Sequence, residues 1–221
     1  MFKFEIITIL PDIFDSYLKE SLIARAIKKK LIKINVHNLR KWTKDRHKTV
    51  DDRPFGGGLG MVMKVEPIFK AVKAIKKDKS KVILFSPRGK KFNQKTAYQL
   101  SKLDQIIFIC GRYEGVDERV AKNIADIELS IGDFVLMGGE IPAMAVIETI
   151  ARLTKGVISK EQLLKERITK EKDFIEYAQY TRPEIFSPKE GSSWKVPKVL
   201  LSGDHKKIEE WKRKHGKAIG R

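Results

Sequence analysis

Of the 221 residues only one is cysteine, Cys110, which excludes a disulfide framework and a multi-cysteine zinc centre. There is no unbroken apolar run of about 18 residues, so no membrane-spanning helix is expected. The opening stretch, Met1 to Leu10, lacks the basic start and small-residue cleavage site of a secretory signal, and a cytoplasmic setting is expected. Internal repeats and low-complexity segments are absent. No G-x-G-x-x-G and no Gly-Lys-Ser/Thr loop occurs, which argues against a dinucleotide fingerprint and a Walker phosphate loop. Acidic residues are scarce: 28 Asp and Glu stand against 46 Lys and Arg, a net charge of +18. Such an excess concentrates polyanions, nucleic acid foremost. Pairs such as Lys76-Lys77 and Lys90-Lys91 equally suit a generally lysine-rich composition, so charge alone leaves both readings open.

What is present is organised around Ser130 to Ala143. Phe134 to Met137 reads as a short buried apolar run held between glycines. Gly138 and Gly139 allow close backbone approach, and Pro142 suits the first turn of a helix. A second stretch, Ile109 to Arg119, also runs from strand through a glycine turn into a charged helix start. Backbone N–H groups at two such turns suggest one pocket lined by main chain.

Read in order, Phe2 to Leu10 is a buried strand, and a helix from Pro11-Asp12 carries an apolar stripe through Leu18, Leu22 and Ile27. Leu31 to Leu39 alternates as a second strand, completing the βαβ pattern of a parallel sheet. Trp42 to Met63 is irregular and holds Gly56, Gly57, Gly58 and Gly60, as a binding loop would. Helices are expected over Glu66 to Ile75, Thr96 to Leu103, Val120 to Ile124 and Pro142 to Leu153. Strands are expected over Lys81 to Phe85, Gln105 to Cys110 and Ile127 to Ser130. Residues 1–158 thus read as an α/β domain with five or six mostly parallel strands. Residues 159–172 read as a charged linker, and 173–221 as a small, mainly helical domain suited to RNA contact. Asp204 is the expected N-cap of its last helix.

Several stretches together, in order and across nearly the whole chain, resemble the bacterial tRNA (guanine-37-N1) methyltransferase family, TrmD. They are Asp45 to Gly58, Cys110 to Arg119, Ser130 to Leu136, Gly138-Gly139-Glu140, Tyr180 to Glu184 and Leu200 to Gly203. The resemblance implies a SPOUT-class fold: a parallel sheet threaded into a deep trefoil knot, working as a homodimer on tRNA. It implies S-adenosylmethionine as methyl donor. Ser86, Pro87, Gly111, Tyr113, Glu114, Ile131, Gly132, Asp133, Phe134, Val135, Leu136, Gly138 and Gly139 then match the donor pocket. His47, Asp51 and Gly60 match positions near the target guanine. Mg²⁺ is implied as an assisting ion, without protein ligands being assigned.

The chemistry follows from the substrate. N1 of guanine carries a proton at neutral pH, and negative charge gathers on O6 as it leaves. A carboxylate for the proton and a cation for the oxygen would suffice. By resemblance Arg152 is the cation. The family's aspartate falls at Ile168 in a gapless alignment, and the base is then expected among the nearby acids of the linker region. Glu166 is the first choice, ahead of Asp173, with Glu171 and Glu176 also near. The chain also stops at Arg221, short of further C-terminal helices in most members, from which altered tRNA contact is expected. Two other readings stay open: a SPOUT enzyme acting on another RNA base, and an RNA-binding module without turnover.

Overall fold

The apolar, β-branched run Phe2–Thr8 forms strand β1, buried throughout except at Lys3. Burial on both faces is what a central strand of a parallel sheet requires. The computed structural model describes residues 1–160 and 174–219, within two compact units, 1–164 and 165–221.

In the first unit a 3₁₀ turn, Pro11–Phe14, leads into α1 (Asp15–Leu18) and α2 (Ser21–Lys28). The single helix expected here is therefore broken, with Glu20 extended and Ser21 at φ +55°. The break lets the Tyr17 hydroxyl donate to Glu148 at 2.9 Å while Ile23 and Ala26 turn into the core. β2 (Ile32–Asn38) follows, then the minimal strands β3 (Asp51–Asp52) and β4 (Val62–Met63), which pair antiparallel. α3 (Val65–Ile75), β5 (Ser80–Lys91), α4 (Gln94–Leu100), β6 (Gln105–Ile109), α5 (Glu118–Asn123), β7 (Ile127–Ser130) and α6 (Glu140–Leu153) complete the unit.

Five strands make one sheet in the order β2-β1-β6-β5-β7, all parallel. One face packs Phe4, Ile6, Phe85 and Phe108 against α2, α4 and α6. The other packs Ile7, Val82, Leu84, Ile107 and Ile109 against α3 and α5. The result is the three-layer α/β arrangement expected of a parallel sheet with helical crossovers. No helix among the described residues is long and apolar enough to cross a membrane.

The second unit holds α7 (Lys198–Leu201) and α8 (His205–His215). It also holds two small antiparallel sheets absent from the sequence reading. In one, β8 (Phe174–Glu176) pairs with β11 (Lys217–Ile219); in the other, β9 (Ile185–Phe186) pairs with β10 (Trp194–Lys195). Strands of two or three residues are too short to show an alternation. Asp204 caps α8 as expected, its carboxylate accepting from the Lys207 N–H at 3.2 Å. On that helix the Trp211 ring stacks on His215 with centroids 4.3 Å apart.

Candidate active site

The carboxyl ends of β5, β6 and β7 lie side by side, where open parallel sheets place ligand crevices. β5 is not a plain strand. Both Phe85 and Lys90 align with Leu129 of β7, so Ser86 to Gly89 form an excursion between two pairings with the same neighbour. A Cβ on Gly89 would lie 2.6 Å from the Leu129 carbonyl carbon and 2.7 Å from its nitrogen. Glycine is thus required where the excursion rests on the β7 backbone. Arg88, within it, donates to Glu118 at 2.5 Å and Glu128 at 2.9 Å. Glu118 and then Glu128 hold its guanidinium above the usual arginine range.

After β6 the chain turns at Gly111 to Gly115. Tyr113 takes the left-handed conformation, φ +61°, which costs a non-glycine residue about 1 kcal/mol. This turn is clamped by the loop between β3 and β4. Glu114 N–H donates to Met61 O at 3.0 Å, and Met63 N–H to Gly115 O at 3.0 Å. Gly60, at φ +83°, lies flat against Glu114, where a Cβ would meet Cγ at 2.6 Å. The glycine loop that the sequence marked as a binding element is therefore hydrogen-bonded to the second glycine turn.

The third wall runs from Ser130 to Glu140. Gly139 N–H donates to Gly111 O at 3.0 Å, and a Cβ there would sit 2.7 Å from the Cys110 Cα. Gly138 is pressed against Arg112 and Glu140, and Gly132 against the Phe134 ring. Beneath the turn, Glu140 is 1% exposed. Its carboxylate accepts from the Thr8 hydroxyl at 2.7 Å and from Arg112 Nε at 2.9 Å. Burial, reinforced by the Glu140 charge, pushes the Cys110 thiol well up, so it has no nucleophilic character here.

These three walls enclose a cavity of about 440 Å³. Every residue matched to the donor pocket lines it except Asp133, which pairs outward with Lys91. The volume suits a nucleoside-sized ligand. The lining glycines leave no room for side chains where main chain meets main chain. One expectation needs correction: Phe134 to Met137 is not buried. Val135 is 81% and Met137 88% exposed, because the segment joins no sheet and arches over the cavity as an apolar rim.

Arg152 is exposed in the last turn of α6, near enough to Tyr98 on α4 for its charge to act on that phenol. It does not line the cavity. At a rise of about 1.5 Å per residue, α6 separates Glu140 from Arg152 by on the order of 18 Å. His47 lies exposed in a turn, and Asp51 stands half-buried on β3. Glu166, Glu171 and Asp173 lie outside the described residues, and Glu176 is exposed on β8. No group of three His, Cys, Asp or Glu arranged for a metal occurs among the described residues.

Sequence reading gave no role to Arg112, Glu140, Arg88, Glu118 or Glu128. A glutamate just after Gly-Gly at a helix start reads as a solvated charge facing the helix dipole. Only the fold brings Thr8 and Arg112 to it.

A family profile described as tRNA (Guanine-1)-methyltransferase TrmD matches residues 2–219. A protein of Dictyoglomus turgidum named tRNA (guanine-N(1)-)-methyltransferase is 52% identical over 214 residues, covering 97% of this chain and 84% of that protein. Proteins of the same name from Carboxydothermus hydrogenoformans and Clostridioides difficile are 50% and 46% identical. They align over 96% of this chain in both cases, and over 81% and 90% of their own lengths.

Proposed function

This chain belongs to the tRNA (guanine-1)-methyltransferase TrmD family, and from that premise we propose how its residues methylate N1 of guanine 37 in tRNA with S-adenosylmethionine as donor. It is an enzyme of tRNA modification, a tRNA (guanine-N(1)-)-methyltransferase. The observation that carries the donor assignment is the cavity itself: three glycine turns whose main chains touch one another around about 440 Å³.

The Ser86 excursion, the Gly111 to Gly115 turn and the Ile131 to Gly139 arch hold the nucleoside by main-chain groups and apolar contacts. A bound S-adenosylmethionine supplies a methyl on a cationic sulfur, which leaves as a neutral thioether. Tyr113, Glu114 and the exposed arch fix where that methyl points and keep water from it. Arg152 stabilises the charge developing on guanine O6, and Glu166 takes the N1 proton as the new N–C bond forms. His47, Asp51 and Gly60 position the guanine, with Gly60 tied to the donor wall through Glu114.

A homodimer completes the site in this reading. Arg152 stands about 15 Å along α6 from Pro142, which lines the cavity of its own chain, and in this reading it serves the cavity of a second copy. Ile141, Leu10 and Ile13 are exposed apolar residues at the α6 start and the turn after β1, and with Val135 and Met137 they are the surface a second copy would cover. The trefoil crossing is carried over from the family to which the chain belongs. The substrate sets the compartment, since tRNA is charged and used in the cytoplasm. Mg²⁺ is given no protein ligands, and no step runs through it.

Incubation with methyl-labelled S-adenosylmethionine and tRNA transcripts tests the reading. Label is expected with guanine at position 37 and absent with any other base there. Label that ignores that base refutes the assignment. Glu166→Gln is expected to abolish transfer while calorimetric donor binding persists; unchanged turnover moves the proton acceptor to Asp173.

A further inference from the structure

The cations of the first unit are not evenly matched. Lys64, Lys70, Lys76, Lys81, Arg88, Lys91, Arg112, Arg119 and Lys122 each have a carboxylate within ion-pair distance. Others in that unit, Lys28, Lys29, Lys30, Lys95 and Lys102 among them, form none among the described residues, and residues 40–48 gather five such cations in nine positions. Arg40, Lys41, Lys44, Arg46 and Lys48 form no ion pair among the described residues, and one acid, Asp45, stands with them. Asp45 is already engaged, accepting from the Thr49 N–H and hydroxyl at 3.0 and 2.7 Å.

Part of this unneutralised charge is built into a concavity. A shallow, open surface concavity is lined by Asn38, Arg40, Lys41, Thr43 and Lys48. Its walls are held by internal hydrogen bonds. Asn38 accepts from the Arg40 N–H at 3.0 Å, Thr43 donates to Arg40 O at 2.9 Å, and Arg40 Nη1 donates to Lys48 O at 2.9 Å. That last bond uses one of the five guanidinium donors and leaves the rest for a ligand. Lys48 itself is at φ +53°, a left-handed conformation held by a turn bond to Asp45 O at 3.1 Å.

This pocket is mechanically joined to the donor cavity. Lys48 leads into Val50, whose carbonyl accepts from Lys64 N–H at 2.8 Å, and Met63 beside it donates to Gly115 O. From β3 through β4 to the Gly115 turn is two strand spacings, on the order of 10 Å. Lys48 lies three residues before β3, at most about 10 Å further, and a few nucleotides of single strand span the sum.

We propose that Arg40, Lys41 and Lys48, with the Asn38 amide, bind a backbone phosphate of the tRNA strand that flanks the methylated guanine. The proposal rests on the tRNA methyltransferase reading. Three cations and an amide around one concavity are a donor set for phosphate oxygens. They read no base, so they fix the register of the strand and leave specificity to the guanine site.

The test uses the full chain with Lys41→Gln/Lys48→Gln, sparing Arg40 because it braces the loop. Lys95→Gln/Lys102→Gln removes equal charge from exposed lysines elsewhere. The pocket variant is expected to raise KM for tRNA about tenfold and to lower the slope of log affinity against log salt by about 1. Its kcat at saturating tRNA and its calorimetric donor affinity are expected to match wild type. An equal loss in the control pair, or an unchanged slope in the pocket variant, overturns the proposal. Lysine acetylation provides a readout that needs no variant. tRNA is expected to protect Lys41 and Lys48 but not Lys95 and Lys102, and millimolar inorganic phosphate is expected to protect far less. Equal protection by phosphate alone identifies a free-anion site and overturns the assignment to RNA. Wild-type protein that binds tRNA, shows the slope difference and methylates no guanine refutes the enzymatic reading while upholding the pocket.

Discussion

Removal of the Glu140 carboxylate is the most demanding test of how the two glycine turns are held together. Glu140 is 1% exposed, and the Arg112 side chain is 18% exposed. Glu140→Met would leave a guanidinium mostly shielded from water with no counter-charge and would strip the Thr8 hydroxyl of its acceptor. Breaking one side of a buried pair costs about 3–5 kcal/mol, a large share of the roughly 5–15 kcal/mol that holds a domain folded. Glu140→Gln keeps an acceptor and is expected to cost about 1–2 kcal/mol. The informative variant is Arg112→Met/Glu140→Met. With both charges gone the desolvation penalty disappears, and the double variant is expected to be at least about 2 kcal/mol more stable than Glu140→Met alone. Urea midpoints at constant m-value measure this. Because Gly138 leans on both side chains, donor affinity by calorimetry is expected to fall about tenfold in Glu140→Met. A coupling energy below about 0.5 kcal/mol in the cycle would refute the idea that this pair latches the pocket floor.

Two further outcomes are expected. Gly89→Ala puts a methyl against the backbone of Leu129, which has no side chain to move aside, and is expected to cost about 3 kcal/mol in urea unfolding; a cost under about 1 kcal/mol contradicts the close approach. Burial pushes Glu5 up, but hydrogen bonds from His37 at 2.6 Å and from Asn35, together with the His37 charge and Gln105, leave it below its ordinary value of 4.5. Its stabilisation is therefore complete above pH 4.5 and is lost as pH falls through the lower folded value, so Glu5→Gln is expected to flatten the acid limb of the stability profile in that window. An unaltered acid limb would show that other carboxylates govern it.

The parallel sheet was legible because its strands are dense in β-branched and aromatic residues: β1 and β6 are buried on both faces and read as apolar runs. Helix α6 was legible from Pro142 and its apolar content. The break at Glu20 was not, since an apolar stripe continues in phase across it and only the reach of Tyr17 to Glu148 reveals the reset. Phe134 to Met137 misled for a related reason. Apolarity announces that a segment needs cover, but not whether the same chain supplies it. The residues that the resemblance matches to a donor pocket carry no local pattern of their own beyond the two glycine turns, and the sheet brings all but Asp133 to one cavity. The Arg112–Glu140–Thr8 cluster joins residues too far apart in sequence for any local pattern to link them.

The excursion at Ser86 to Gly89 has a bearing on synthesis. Its resting place is Leu129, on an edge strand that leaves the ribosome long after β5. A nascent chain ending before Ile127 has the excursion but nothing to lay it on, and it lacks the arch that closes the opposite wall. A ligand of this cavity therefore has no complete site until Pro142 has been made.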